Sequence, residues 1–232
     1  MRKYIFLTIA LLCSGLLRAQ FTVSYSGGYS SYDTGDMSSM LKNIQRRPPA
    51  STVGAKLVDN FPVKNLTHII DVGYLIEQHE FGLKGGGYYS TGGKLSIKDY
   101  SGEYANRFIV NGFRAGVYYK NYFFTYENRP GRELFSFFGE VSPGIYLTHF
   151  KNDGVFEVND KELDRFDDTY KTSCFSLLTQ IGTKYYVTRN INLHLAVGYD
   201  FSAKAQWETS ANNSASINWG GVRFTGGVGF SF

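Results

Sequence analysis

The stretch INLHLAVGYDFSA, residues 191–203, alternates without a break between apolar and polar or small side chains. Its odd-numbered positions carry Ile, Leu, Leu, Val, Tyr, Phe and Ala, whereas its even-numbered positions carry Asn, His, Ala, Gly, Asp and Ser. Successive side chains of a strand point to opposite faces, so this period of two predicts a strand with one apolar and one polar face. The apolar face is about as long as a tilted strand needs to cross the hydrocarbon core of a bilayer.

The start of the chain predicts an export signal. Arg2 and Lys3 precede an apolar run at 4–17, and the small residue Ala19 follows. This order is typical of a secretory signal peptide, which we place at residues 1–19, with the mature protein beginning at residue 20 or 21. A membrane anchor is the alternative, but the run is shorter than the roughly 20 residues of a spanning helix. We therefore predict a single domain at 20–232.

Composition narrows the class of protein. Without the three basic residues of the signal, 21 of the 24 basic residues remain against 20 acidic ones, a balance that gives no reason to expect nucleic acid binding. Only Cys174 would remain after cleavage, so no intrachain disulfide is expected. No mature segment has 18 continuous apolar residues, which excludes a helical membrane protein but suits a barrel whose strands are half polar. The aromatic content of 17% fits the aromatic girdles of such barrels.

The same alternation recurs along the chain and predicts eight strands. Besides 191–203 and the last stretch, 222–232, it starts near residues 21, 68, 81, 113, 135 and 175. The predicted connections are alternately long and short: loops at 32–65, 92–104, 150–168 and about 206–214, and turns at 77–79, 128–131 and 188–190. Long loops on one side, short turns on the other and an even strand count are typical of transmembrane barrels.

The first predicted loop, 32–65, contains an amphipathic pattern. Met37, Met40, Leu41 and Ile44 fall at helical spacing after Asp36, which predicts a short helix. We expect this helix to pack on the rim of the barrel. The alternative is that it recruits a protein partner.

The whole mature chain resembles the small outer-membrane β-barrel family of Gram-negative bacteria, of the type of the OmpA transmembrane domain and OmpX. The resemblance implies an eight-stranded antiparallel up-and-down barrel in the outer membrane, in contact with lipopolysaccharide and phospholipid. It also implies that the C-terminal strand, which ends on a phenylalanine, is recognised by the barrel-insertion machinery. The residues of that signal would be Phe224, Val228, Phe230 and Phe232.

The polar parity of the strands predicts a charged interior. The candidate lumen network comprises three acids and three bases: Asp71, Lys84, Arg114, Glu140, Lys184 and Asp200. Unpaired charges at this depth are costly, so we expect the six side chains to pair with one another. They either fill the lumen as a structural plug or rearrange to gate a narrow path.

Catalysis is not expected from the histidines. Some eight-stranded barrels modify lipid A, and the deacylase type carries a His-x-Ser pair on one strand. None of His68, His79, His149 and His194 has a serine two positions later. The acidic stretch at 153–168 lacks the Asp-x-Asp-x-Asp-Gly order of a calcium loop, and we predict neither metal nor cofactor.

We therefore predict a non-enzymatic outer-membrane barrel with a structural or surface-interaction role. The alternatives are a narrow pore for ions or small solutes, an accessory barrel of a larger assembly that makes contact through 32–65, and, less favoured, a lipid-modifying enzyme.

Overall fold

The computed structural model describes residues 20–63, 65–100, 102–129, 132–159, 161–208 and 214–232. The predicted signal peptide, 1–19, lies outside the described residues. In chain order the elements are β1 (Gln20–Ser30), α1 (Gly35–Gln45), α2 (Ala50–Val53), β2 (Lys56–Asn60), β3 (Leu66–Ile76), β4 (His79–Asp99), β5 (Gly102–Arg129), β6 (Arg132–Val158), β7 (Lys161–Tyr186), β8 (Ile191–Ser202), β9 (Ala205–Glu208), β10 (Ser214–Ile217) and β11 (Gly221–Ser231).

Eight of these strands close into an antiparallel barrel. Each of β3 to β7 pairs with the next strand, β8 pairs with β11, β11 pairs with β1, and β1 pairs with β3, which completes the ring. Because Thr22 lies opposite Ser231, the first and last strands close the barrel at the end that holds Gln20 and Phe232. Closure satisfies the backbone hydrogen bonds that an open edge would leave unpaired in hydrocarbon. The predicted eight-stranded up-and-down barrel is confirmed.

The alternation of the strands separates the two faces of the wall as predicted. On β8, Leu195 and Val197 are 53% and 45% exposed on the outside, whereas Ala196 and Asp200 are 5% and 0% exposed. The same alternation of exposed and buried positions runs through β3 and β11. An apolar outer belt with a buried polar interior has no counterpart in a water-soluble core, and it makes the molecule a transmembrane barrel.

Two predicted loops are wrong. Residues 92–99 and 102–104 lie on the paired strands β4 and β5, in which Asp99 lies opposite Gly102, and 150–158 and 161–168 lie on the paired strands β6 and β7. These four strands continue beyond the belt as one projecting sheet, whose inner face buries Leu95, Tyr104 and Phe108. Outside the belt the outer face meets water rather than lipid. Most of its residues are therefore polar, with Leu163 an exposed exception, and the apolar alternation on which the prediction depended disappears.

A cap closes the barrel at the end opposite Gln20 and Phe232. The predicted helix is confirmed as α1, and its Met37 and Leu41 are fully buried, as expected for a helix that packs on the rim. Under it lie β2, which pairs with the outer half of β4, and the paired strands β9 and β10. The Asp36 carboxylate fixes the helix to these strands, because it accepts hydrogen bonds from Lys204, which precedes β9, at 2.8 Å and from Ser216 of β10. Within the described part of the chain, neither helix has the length and hydropathy to span a bilayer.

Candidate functional site: two charged clusters in the lumen

The half of the lumen nearer Gln20 and Phe232 holds six charged side chains, each at most 8% exposed. We call them the lower cluster: Asp71, Glu80, Lys84, Lys120, Glu140 and Lys184. The Lys84 ammonium lies 3.1 Å from Asp71 and 2.7 Å from Glu140. Since each carboxylate faces at least one ammonium, the three positive and three negative charges cancel.

Lys120 occupies the centre of the lower cluster. Its ammonium lies 3.2 Å from Asp71, 3.5 Å from Glu140 and 3.7 Å from Glu80, so it is the side chain that contacts all three carboxylates. Lys184 contacts Glu80 at 3.4 Å. Such contacts offset part of the large cost of removing charges from water.

Neutral side chains complete the hydrogen bonding of the lower cluster. Glu80 accepts from Tyr118 at 2.6 Å, from Tyr122 at 2.5 Å and from Thr22 at 3.1 Å. Gln180 donates to Glu140 at 2.9 Å. The carboxylates are thereby held in one geometry by groups from several strands.

A second group lies nearer the cap, and we call it the upper cluster: Arg114, Asp200 and Arg223. Asp200 is fully buried, with Arg114 at 3.4 Å and Arg223 at 3.6 Å. Tyr146 donates to Asp200 at 2.7 Å, and Arg114 donates to the Ser142 carbonyl at 2.6 Å. Two guanidinium groups against one carboxylate leave this cluster with one excess positive charge.

Apolar and aromatic side chains fill the remaining space. Ile69 and Leu178, two apolar exceptions on the polar parity of their strands, are 9% and 2% exposed inside the barrel. Above the upper cluster, Trp219 packs against Tyr89 and Tyr146 with ring centroids 5.5 Å and 6.1 Å apart. Two cavities beside the clusters measure about 20 Å³ and 10 Å³, which is room for about one water each.

A larger cavity, about 340 Å³, lies outside the lumen between β2 and the outer halves of β4 and β5. Its charged lining residues are Asp59, Lys94 and Arg107, with Asp59 opposite Lys94 and Lys94 opposite Arg107. The lining therefore carries two basic side chains and one acidic side chain, and Asp153, which does not line the cavity, lies opposite Arg107 on the next strand.

Several solved structures of outer-membrane proteins are similar to this chain. Neisserial surface protein A matches 92% of this chain over 99% of its own length, with 14% identity and a TM-score of 0.41. OprG from Pseudomonas aeruginosa matches 92% of this chain over 96% of its own length, with 12% identity and a TM-score of 0.49. A major outer membrane protein from Thermus thermophilus matches 92% of this chain over 99% of its own length, with 12% identity and a TM-score of 0.39. The closed ring of eight antiparallel strands and its apolar outer belt are the fold of a small outer-membrane β-barrel. No family model and no curated protein matches the chain.

The six lumen residues proposed from the sequence all lie inside this outer-membrane barrel. The structure divides them between two clusters: Asp71, Lys84, Glu140 and Lys184 belong to the lower cluster, and Arg114 and Asp200 to the upper one.

Sequence reasoning missed Glu80, Lys120 and Arg223 as members of the network. Glu80 and Lys120 share the inward parity of Lys84 and Arg114, and Arg223 has the polar parity of the last strand. The rule that placed the other six residues therefore contained the signal for these three as well.

The four residues proposed as an insertion signal face outward. Phe224, Val228, Phe230 and Phe232 are all exposed on the belt of the outer-membrane barrel. Their recognition by insertion machinery stays a prediction.

One serine and one histidine meet inside the barrel, although they are far apart in sequence. The Ser26 hydroxyl and the His194 Nε2 atom are 2.7 Å apart, within the distance of a nucleophile–base pair. The neighbouring cavity, lined by His194 and measuring about 20 Å³, has no room for an acyl substrate. Among the described residues no His, Cys, Asp and Glu side chains group as metal ligands.

Proposed function

We propose that this outer-membrane barrel is a closed structural protein that displays its projecting sheet and cap at the cell surface. The filled lumen carries the proposal. An ion would have to cross the lower cluster, the apolar pair Ile69 and Leu178, the upper cluster, the Trp219 aromatic layer and the cap. Eight-stranded barrels have lumens that side chains just fill, and this one follows that rule.

Planar-bilayer recordings test the closed barrel against the narrow pore. We expect the parent protein, Glu140→Ala and Arg114→Ala to show no unitary conductance above the lipid background. A unitary conductance in the parent that changes in either variant would replace the structural role with that of a pore. A lipid A deacylation assay in vesicles tests the catalytic alternative. We expect no deacylation by the parent protein, with Ser26→Ala as the matched control.

We propose that the segment 32–65 caps the barrel rather than recruits a protein partner. The apolar face of α1 is already occupied, because Met37, Met40 and Leu41 are buried against the barrel. A protein partner would therefore have to bind the exposed polar face, which includes Lys42 and Arg46. A membrane protein that co-purifies with the parent and is lost in Lys42→Glu/Arg46→Glu would favour the accessory-barrel alternative.

The basic residues on the outer wall support lipid as a binding partner. Directly above the belt residue Leu147, the exposed residues His149 and Lys171 lie opposite each other, and Lys151 follows. We propose that these residues contact lipopolysaccharide phosphates, since a basic residue beside an anionic lipid surface contributes about 1 kcal/mol. Lys151→Glu/Lys171→Glu should lose thermal stabilisation by added lipopolysaccharide. Lys42→Glu/Lys161→Glu, with the same change in charge, should retain it.

We also propose recognition of the C-terminal strand by the insertion machinery. The outward side chains of Phe230 and Phe232 are accessible at the end of the chain. Phe232→Ser should slow assembly catalysed by that machinery, whereas Phe201→Ser, on the same belt, should not. Equal effects of the two substitutions would contradict a specific signal.

A further inference from the structure

The cavity of about 340 Å³ on the projecting sheet, which we call the groove, has walls from β2, β4 and β5. A β-bulge in β2 places Asp59 opposite Lys94, and bulges often re-aim a side chain beside a functional site. The Thr91 hydroxyl donates to the Pro62 carbonyl at 2.8 Å, which holds the chain that leaves β2 beside β4. The volume of the groove lies within the range of about 300–1,000 Å³ that is typical of small-molecule sites.

The groove lies beyond the lipid belt, on the part of the wall that meets water. In the direction of the cap, Phe113 is the last exposed apolar residue that the structure describes on β5. Arg107 is six residues further along the same strand. At about 3.3 Å per residue and a tilt of about 40°, this is about 15 Å above the belt. A ligand therefore reaches the groove from water or from the sugar region of lipopolysaccharide, and not from hydrocarbon.

Two basic side chains lie side by side in the groove. Lys94 is directly opposite Arg107 on the neighbouring strand, and like charges in this position destabilise a sheet. Among the described residues, neither of them forms a salt bridge with the acidic residues at the two ends of their row, although Lys98 and Lys151 of the same sheet pair with carboxylates at 2.6 Å and 3.6 Å. The two positive charges are therefore available to an anion, which would relieve their repulsion.

The floor of the groove consists of backbone and small polar side chains. Gly92 lies between Ser90 and Lys94 on the same parity of β4, so at its level the strand adds no side chain to the groove. A Cβ atom at this position would lie 2.7 Å from the Phe108 carbonyl oxygen, which explains the glycine. The Ser90 hydroxyl and the Asp59 carboxylate line the groove as well, and both accept hydrogen bonds from hydroxyl groups.

We propose that the groove binds a phosphorylated sugar, with the phosphate between Lys94 and Arg107 and the sugar hydroxyls against Asp59 and Ser90. Guanidinium and ammonium groups form charge-assisted hydrogen bonds with phosphate oxygens. The Asp59 carboxylate repels a second anionic group, so the groove selects one phosphate on a hydroxylated body.

The phosphorylated sugar is either free in water or part of lipopolysaccharide, because both present the same chemistry at this height. The inference goes beyond the closed structural barrel. It depends on the projecting sheet and not on the filled lumen.

Isothermal titration calorimetry tests the proposal on the full mature protein, in a detergent and a buffer that contain no phosphate. The ligands are glucose 6-phosphate and lipopolysaccharide, and glucose and dephosphorylated lipopolysaccharide are their matched controls. The groove variant is Lys94→Gln/Arg107→Gln, and Lys42→Gln/Lys161→Gln removes the same charge outside the groove. Because the groove variant loses a repulsion between neighbouring strands, it should fold, and its circular dichroism spectrum should equal that of the parent.

We expect saturable binding of at least one phosphate-bearing ligand to the parent protein. The groove variant should lose at least about tenfold in affinity and the control variant less than about twofold, since the groove variant lacks both charged donors to the phosphate. Glucose 6-phosphate that binds and is not displaced by lipopolysaccharide would identify a free sugar phosphate. Lipopolysaccharide that binds alone, or that displaces glucose 6-phosphate, would assign the phosphorylated sugar to the lipid.

Three results would overturn the proposal. The first is a parent protein that binds neither phosphate-bearing ligand. The second is equal affinity for the forms with and without phosphate. The third is equal weakening in the groove variant and the control variant, which would show that net charge rather than the groove attracts the anion. None of these results concerns the closed lumen, which the conductance recordings test separately.

Discussion

Replacing Lys120 by methionine would remove the central positive charge of the lower cluster. The ammonium lies within 3.7 Å of Asp71, Glu80 and Glu140, so its loss leaves three buried carboxylates against the two ammonium groups of Lys84 and Lys184. Methionine has a similar length and no charge, so the packing volume changes little. The perturbation is therefore mainly electrostatic.

The size of the effect follows from the burial of the cluster. Removing one partner of a buried ion pair typically costs about 3–5 kcal/mol, because the other charge stays desolvated. Removing both partners is often close to neutral. We therefore expect Lys120→Met to cost about 3–5 kcal/mol, and Lys120→Met/Glu140→Gln to recover at least about 2 kcal/mol of that loss. The amide introduced by Glu140→Gln would keep a polar group beside Gln180, which bonds Glu140 at 2.9 Å.

Reversible urea unfolding from lipid vesicles, followed through Trp207 and Trp219, measures this double-mutant cycle. Lys42→Met on the exposed face of α1 is the matched control and should change stability by less than about 0.5 kcal/mol. If Lys120→Met costs less than about 1 kcal/mol, or if the losses from Lys120→Met and Glu140→Gln add in the double variant, the six charges do not act as one balanced cluster.

Three further predictions concern the upper cluster and the cap. Tyr146→Phe removes the hydroxyl that donates to Asp200 at 2.7 Å and should cost about 1–3 kcal/mol in the same unfolding assay, and no loss would contradict the assigned bond. Gly112→Ala places a Cβ atom 2.7 Å from the Trp219 ring, and this overpacking should destabilise the protein by about 1–3 kcal/mol. Gly85→Ala, whose Cβ position is open space, should cause no loss of stability from overpacking. Hydrogen bonds from Lys204 and Ser216 lower the pKa of Asp36, so this contact stabilises the cap above the ordinary aspartate pKa of about 4 and is lost as the pH falls through the lowered value. Limited proteolysis at falling pH should release α1 at a higher pH in Lys204→Met than in the parent, and identical pH profiles would show that the Asp36 contact does not hold the cap.

The barrel wall could be predicted from the sequence because lipid imposes a sharp contrast between its two faces. At 191–203 every outward position is apolar, since it meets hydrocarbon, and one stretch of 13 residues is enough to show the period. The projecting halves of the long strands lack that contrast. Lys94 and Arg107 are paired across β4 and β5 as regularly as the belt residues are. In this part of the two strands, however, both faces carry a mixture of polar and apolar residues. Their strand conformation follows from pairing with a neighbour, which the local sequence does not show.

The candidate site was predictable residue by residue but not as an arrangement. Parity places Asp71 and Asp200 in the lumen, yet only the register of the strands decides that the first meets lysines and the second meets arginines. Register depends on closure of the whole ring, with Gly27 opposite Gly226 at the junction of the first and last strands. The close contact between Ser26 and His194 arises in the same way, from two residues that are 168 positions apart. Such pairs leave no local pattern.

A charged lumen is an expensive way to fill a barrel, and the route of the chain to the membrane gives a physical reason for it. Ile69 and Leu178 show that apolar side chains fit the interior. If they filled it completely, both faces of every strand would be apolar, and the long continuous apolar segments would resemble spanning helices before the barrel formed. The alternation keeps the mean hydropathy of the chain at −0.24. The same constraint requires the buried charges to balance, because three carboxylates without Lys120 would oppose closure of the ring that must hide them. The balanced charges of the lower cluster therefore keep the chain polar enough to cross water before folding, and they can still be buried when the barrel closes in lipid.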